Sequence, residues 1–156
     1  MEVFRHLFRR LGLLPLVALA FAGLSCEKKE TEARFKTLYD SPFTIAPGTH
    51  KDLPFSVTPD MTEVPDSLNN ITLYVEFVIP FLDTVSIYVL TDDNYYAFTQ
   101  NLPFTSLQAF HGATDADFWY HHMTGGDYHV VLDHRDTTST IQVSAVKIHM
   151  LYFAWK

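Results

Sequence analysis

Ile71-Thr72-Leu73-Tyr74-Val75-Glu76-Phe77-Val78-Ile79 (ITLYVEFVI, residues 71–79) alternates: Ile71, Leu73, Val75, Phe77 and Ile79 fall on one side, and Thr72, Tyr74 and Glu76 on the other. Successive side chains of an extended chain point to opposite faces, so this stretch is a strand with one face in a core and the other toward water. Pro80 ends it, because proline has no N–H to give a ladder.

Working outward, Thr84 to Thr91 repeats the pattern, with Val85, Ile87 and Val89 inward. On the N-terminal side, Leu53, Phe55 and Val57 share one face of Lys51–Val57, and Phe43 to Ala46 stops at the turn dipeptide Pro47-Gly48. Residues 58–70, with Pro59, Pro65 and several Asp and Asn, read as a loop. Asp92 and Asp93 are placed to cap a short helix running to about Asn101, with Tyr95, Phe98 and Leu102 as its apolar stripe. Leu107 to Phe110, Phe118 to His122 and Tyr128 to Asp133 are further short strands, the last opened by the turn Gly125-Gly126-Asp127.

The last strand changes phase. Ile141, Val143 and Ala145 are odd-numbered, whereas Val146, Ile148, Met150 and Tyr152 are even. A strand can keep both sets inside only with an extra residue in between, which predicts a bulge near Ala145. At about 3.3 Å per residue, Thr140 to Phe153 would span about 46 Å, which predicts a strand that bends to serve two sheets. Leu151 to Trp155 is expected to dock as core or edge. Together these elements predict an all-β fold, an antiparallel β-sandwich of about seven or eight strands with one short helix, layered like a jelly roll or an immunoglobulin domain.

The chain has 156 residues, enough for one domain, and 47% hydrophobic content with 15% aromatic is enough for a packed core. Its net charge is −7; without residues 1–25, which hold Arg5, Arg9, Arg10 and Glu2, the remainder carries −9. An acidic surface repels phosphate backbones, so nucleic acid is not an expected partner.

Arg5, Arg9 and Arg10 precede a 15-residue apolar stretch, Leu11 to Ser25. A membrane-spanning helix needs about 20 apolar residues, and Pro15 weakens this one further, so residues 1–25 read as an export signal. Cys26 is the only cysteine, and an exported chain with one thiol has no internal disulfide to make. Gly23-Leu24-Ser25-Cys26 resembles the bacterial lipobox, although Gly23 stands where the pattern usually has Leu. The resemblance implies acylation of Cys26, a membrane held through its acyl chains, and a place in the bacterial cell envelope outside the cytoplasm. The competing reading is cleavage near Ala20 or Ala22 and a free secreted protein. Residues 26–40 are then a charged tether, and 41–156 the sandwich domain.

Val85 to Gln100 (VSIYVLTDDNYYAFTQ) and Gly125 to Asp133 (GGDYHVVLD) resemble strands of secreted sandwich domains of the prepeptidase C-terminal kind and, more distantly, of the Golgi-dynamics kind. Asn94-Tyr95 and Gly126-Asp127-Tyr128 carry the match, while His129 and His134 depart from it. The resemblance implies an accessory or interaction role and no shared active site.

No Gly-x-Ser-x-Gly, His-Glu-x-x-His or glycine-rich phosphate loop is present. No catalytic residue and no cofactor is expected. Trp119 and Tyr120, with Tyr128, are the aromatic candidates for a carbohydrate or peptide platform, with strand alternation turning Trp119 away from both neighbours. His121, His122 and His129, close to one turn, are candidates for a metal site and a metal-dependent enzyme, against the plainer reading of surface histidines. Asp115 and Asp117 are expected in a capped turn rather than a calcium loop. The favoured function is a membrane-anchored envelope lipoprotein with a non-catalytic interaction domain and a possible envelope protein partner; a glycan- or peptide-binding module is the alternative.

Overall fold

The computed structural model describes residues 29–65, 69–80 and 83–156. The export signal and Cys26 lie outside the described residues. Nine strands are present among those described: β1 (Thr31–Tyr39), β2 (Phe43–Ile45), β3 (Thr49–Val57), β4 (Thr72–Val78), β5 (Val85–Thr91), β6 (Gln108–Ala113), β7 (Asp115–Tyr120), β8 (Gly126–His134) and β9 (Ile141–Trp155). One helix, α1 (Asp92–Thr99), follows β5, and a short 3-10 turn covers Pro59–Met61.

The strands form two antiparallel sheets, β1-β9-β4-β7 with β2 also on β9, and β3-β8-β5-β6. β1–β2 and β5–β6 each stay within one sheet, and every other consecutive pair passes from sheet to sheet, which is jelly-roll layering. The core lies between them, where Leu73, Val75 and Phe77 of β4 meet Ile87 and Val89 of β5 and Val130 and Leu132 of β8. The alternation read from residues 71–79 is therefore the inward row of a central strand.

The bulge falls where the phase slip puts it. Between Glu76↔Lys147 and Val78↔Ser144, β9 uses one residue more than β4, and Ala145 takes φ 49°. Positive φ is costly for a residue with a side chain, and here it lets Val143 and Val146 both reach the core. β9 does not, however, serve both sheets: all its partners belong to the five-stranded one. The bulge re-phases the strand, so no change of sheet is needed.

Four further expectations are corrected. The charged tether expected over 26–40 gives way at Thr31 to β1, which pairs with β9 from Thr31↔Trp155 to Tyr39↔Ile148. Arg34 and Lys36, partners of the inward Tyr152 and Met150, stay exposed. Both its faces are wet from Ala33 to Thr37, so no apolar alternation marks it, and only Leu38 and Tyr39 at its end pack against the core. Asp115 and Asp117 are not in a capped turn but in β7, opposite Val78 and Glu76. Thr91, not an aspartate, holds the cap position of α1, and its hydroxyl accepts from Asn94 Nδ2 at 2.9 Å. Leu102 lies beyond α1 and is exposed, so the buried anchor of that stripe is Phe98.

Candidate functional site

Cross-strand register builds rows of side chains on the outer face of the five-stranded sheet. Thr37, His149, Tyr74 and Trp119 stand opposite one another on β1, β9, β4 and β7. Phe35, Leu151 and Thr72 form the next row on one side, and Lys147, Glu76 and Asp117 the row on the other. The rings of Tyr74 and Trp119 lie 4.5 Å apart, and those of Tyr74 and His149 6.3 Å apart and nearly parallel. Phe35 is 71% and Trp119 50% exposed. Between Phe35, Tyr74, Trp119, His149 and Leu151 lies a shallow apolar depression of about 230 Å³.

The polar row is wired to the aromatic one. Tyr74 Oη donates to Glu76 Oε2 at 2.9 Å, and Lys147 Nζ donates to the same oxygen at 3.1 Å. Burial, then the hydrogen bond to Glu76 and the nearby Asp117 charge, push the Tyr74 hydroxyl up to about 12. Lys147, then Tyr74, hold the Glu76 carboxyl below its usual range. Lys147 also offsets the repulsion between Glu76 and Asp117, like charges placed opposite each other.

Trp119 and Tyr120 are not brought together. Trp119 faces out, as alternation requires, and Tyr120, opposite Leu73, packs against the core. The residues that share a face with Trp119 are Tyr74, His149 and Phe35, which sequence reasoning did not group. The polar side of the alternation in residues 71–79 could have pointed to Tyr74, since an outward aromatic on a central strand needs neighbours. Tyr128 is also inward, stacked on Phe55 at 5.6 Å.

The histidines divide too. His121 and His122 are exposed beyond the end of β7, with rings 6.4 Å apart, and His121 Nδ1 lies 3.1 Å from Thr72 Oγ1. His129 is on the outer face of the other sheet, and it is buried, not a surface residue. Asp52 Oδ1 lies 2.8 Å from its Nδ1, Asp92 Oδ1 lies 3.1 Å from its Nε2, and Tyr95 stacks on its ring at 3.9 Å. The two carboxylates sit on opposite ring nitrogens, so they cannot share one ion with the imidazole. Burial, then the Asp52 charge, raises the Tyr95 hydroxyl above its ordinary value. His134 is 1% exposed, held between the carbonyls of Thr84 and Ser139. Among the described residues no three metal-ligating side chains converge.

A second, polar depression of about 250 Å³ includes Ser86, His111, Asp133 and Arg135 in its wall. Ser86 Oγ lies 3.3 Å from His111 Nδ1. Asp133 is engaged by Arg135 through both oxygens, at 2.8 and 2.9 Å, and no hydrogen bond joins it to His111. The orienting carboxylate of a hydrolytic triad is therefore not in place.

No protein-family model matches the chain, and no curated protein matches it either. The likeness to prepeptidase C-terminal domains thus rests on the strand patterns quoted above. Among solved structures, a protein of Bacillus endospore appendages, described as disulfide-linked pili, is similar at 14% identity and a TM-score of 0.44, over 85% of this chain and 96% of that one. A chain of infectious bursal disease virus, Gx strain, is similar at 8% identity and a TM-score of 0.43, over 81% of this chain and 32% of that one.

Proposed function

We propose that the chain is an envelope lipoprotein, exported by residues 1–25 and acylated on Cys26, whose jelly roll is a non-catalytic domain that contacts a protein partner through the outer face of the five-stranded sheet. The observation that carries the contact surface is the outward row of half-buried Tyr74 and His149 with exposed Trp119, and exposed Phe35 with half-buried Leu151 beside it. An apolar and aromatic centre flanked by a charged row, here Lys147, Glu76 and Asp117, is the anatomy of a protein interface. The lipobox-like Gly23-Leu24-Ser25-Cys26 supports the anchor. One acyl chain holds a protein only marginally, and two or more hold it stably, so the reading requires a multiply acylated cysteine.

A photo-crosslinker placed at Phe35 in the full chain, in its native host, is expected to trap one discrete partner. Trp119→Ala is expected to abolish that adduct, and a crosslinker at the exposed Tyr96 of α1 to give none. The same pattern of adducts from both faces would refute the assignment. Trp119 favours a second reading, a carbohydrate-binding module, because half of its surface stays open on an edge strand. Glycan-array binding that disappears in Trp119→Ala would select that reading instead. Detergent partitioning lost in Cys26→Ser is the expected result for the anchor.

A further inference from the structure

We infer that one end of the sandwich, the end carrying Thr31, Trp155, Glu63 and His121–His122, faces the headgroup layer of the bilayer. The inference rests on acylation of Cys26 and adds to it a fixed orientation. β1 starts at Thr31, so five peptide steps separate it from Cys26. Five steps reach at most about 18 Å. β1 itself runs Thr31 to Tyr39, about 27 Å at the usual rise. The link is shorter than the strand, so the start of β1 cannot leave the membrane by more than that reach, whereas its far end can.

Register identifies what shares that end. Thr31 pairs with Trp155, and Trp155 Nε1 donates to the Glu63 carbonyl at 3.3 Å. Asn69 Oδ1 accepts from the Phe153 N–H at 3.0 Å, and Asn70 Oδ1 accepts from the His122 N–H at 2.9 Å. Those bonds tie the segments 59–65, 69–72 and 121–125 to the same end. Asp60, Glu63 and Lys156 there are of mixed sign, so no polybasic patch steers the domain and the occupant is the headgroup layer itself. Trp155, an amphipathic ring on a carbonyl, suits that layer. The orientation comes from the short link and is insensitive to salt.

The chain has two tryptophans, which makes the test direct. Lipidated protein carrying Trp119→Phe, or separately Trp155→Phe, is placed in phosphatidylcholine vesicles doped with a headgroup nitroxide lipid. The expected result is loss of most Trp155 emission and a minor loss of Trp119 emission, the same at low and high salt. Ten Gly/Ser residues inserted between Glu30 and Thr31 should restore Trp155 emission while the protein stays on the vesicles. Equal quenching of both tryptophans, no quenching of either in vesicle-bound protein, or quenching that survives the insertion overturns the orientation. Protein that fails to bind vesicles, with Cys26→Ser no different, overturns the anchor and the orientation with it.

Discussion

The two outer faces of this sandwich are both aromatic, yet among the described residues only one is covered. On the four-stranded sheet, α1 lies over Leu90 and Val131 and buries Phe98 among Tyr88, Tyr95 and Phe104. Arg135 stacks its guanidinium 4.0 Å over the Phe98 ring, and the Asp52–His129–Asp92 chain ties β3 and β8 to the first turn of α1. On the five-stranded sheet the comparable residues, Tyr74, Trp119, His149 and Phe35, have no helix above them among the described residues. The connection from β5 to β6 supplies the roof on one side, and no described connection crosses the other. Aromatic side chains on a roofed face stabilise the fold. The open face carries the same chemistry without a described roof, which is why the proposed contact surface is placed there.

Substitutions on the two faces should therefore differ in kind. The largest effect is expected from Phe98→Ala, which empties a buried ring from the roofed cluster and should cost about 3–5 kcal/mol in urea unfolding. Asp52→Ala should come next, at about 1–3 kcal/mol, because it leaves His129 buried with one carboxylate in place of two. Trp119→Ala should cost only about 1 kcal/mol, the worth of its contact with Tyr74, while removing the crosslinked partner. A loss as large as that of Phe98→Ala would erase the distinction between the faces.

The smallest effect is in the pH dependence of the open face. Tyr74 binds its proton more tightly when folded, so its contribution is whole below about pH 10 and is lost as pH rises toward 12. Tyrosinate absorbance should show a group titrating near pH 12 that Tyr74→Phe removes while the raised Tyr95 stays. Glu76 acts in the opposite sense: its contribution is present above the ordinary carboxyl range and is lost as pH falls through its lowered value. Tyr74→Phe should move that acid limb upward, since one of the two donors to Glu76 is gone.

How much of this was readable beforehand depended on whether the signal was local. β4, β5 and the bulge at Ala145 are written in the phase of apolar residues, because one wet face and one dry face leave a period of two. β1 was hidden because neither of its faces is dry. The roof was half visible: Val130, Val131 and Leu132 are apolar on both parities, the mark of a strand covered on two sides. The partners of His129 were not visible at all, since Asp52 and Asp92 lie 77 and 37 residues away in sequence. The open face needed register. Trp119 is legible as outward, but that Tyr74 and His149 stand beside it follows only from how β7, β4 and β9 pair.

β9 takes partners from β1, β2 and β4, and it is the latest strand in the described sequence. The five-stranded sheet cannot close until β9 is available to the strands that preceded it. Assembly dominated by such distant pairings is slow, because loop closure must precede the contacts that reward it. A chain of this topology therefore acquires its rigid form only when β9 joins the strands that precede it.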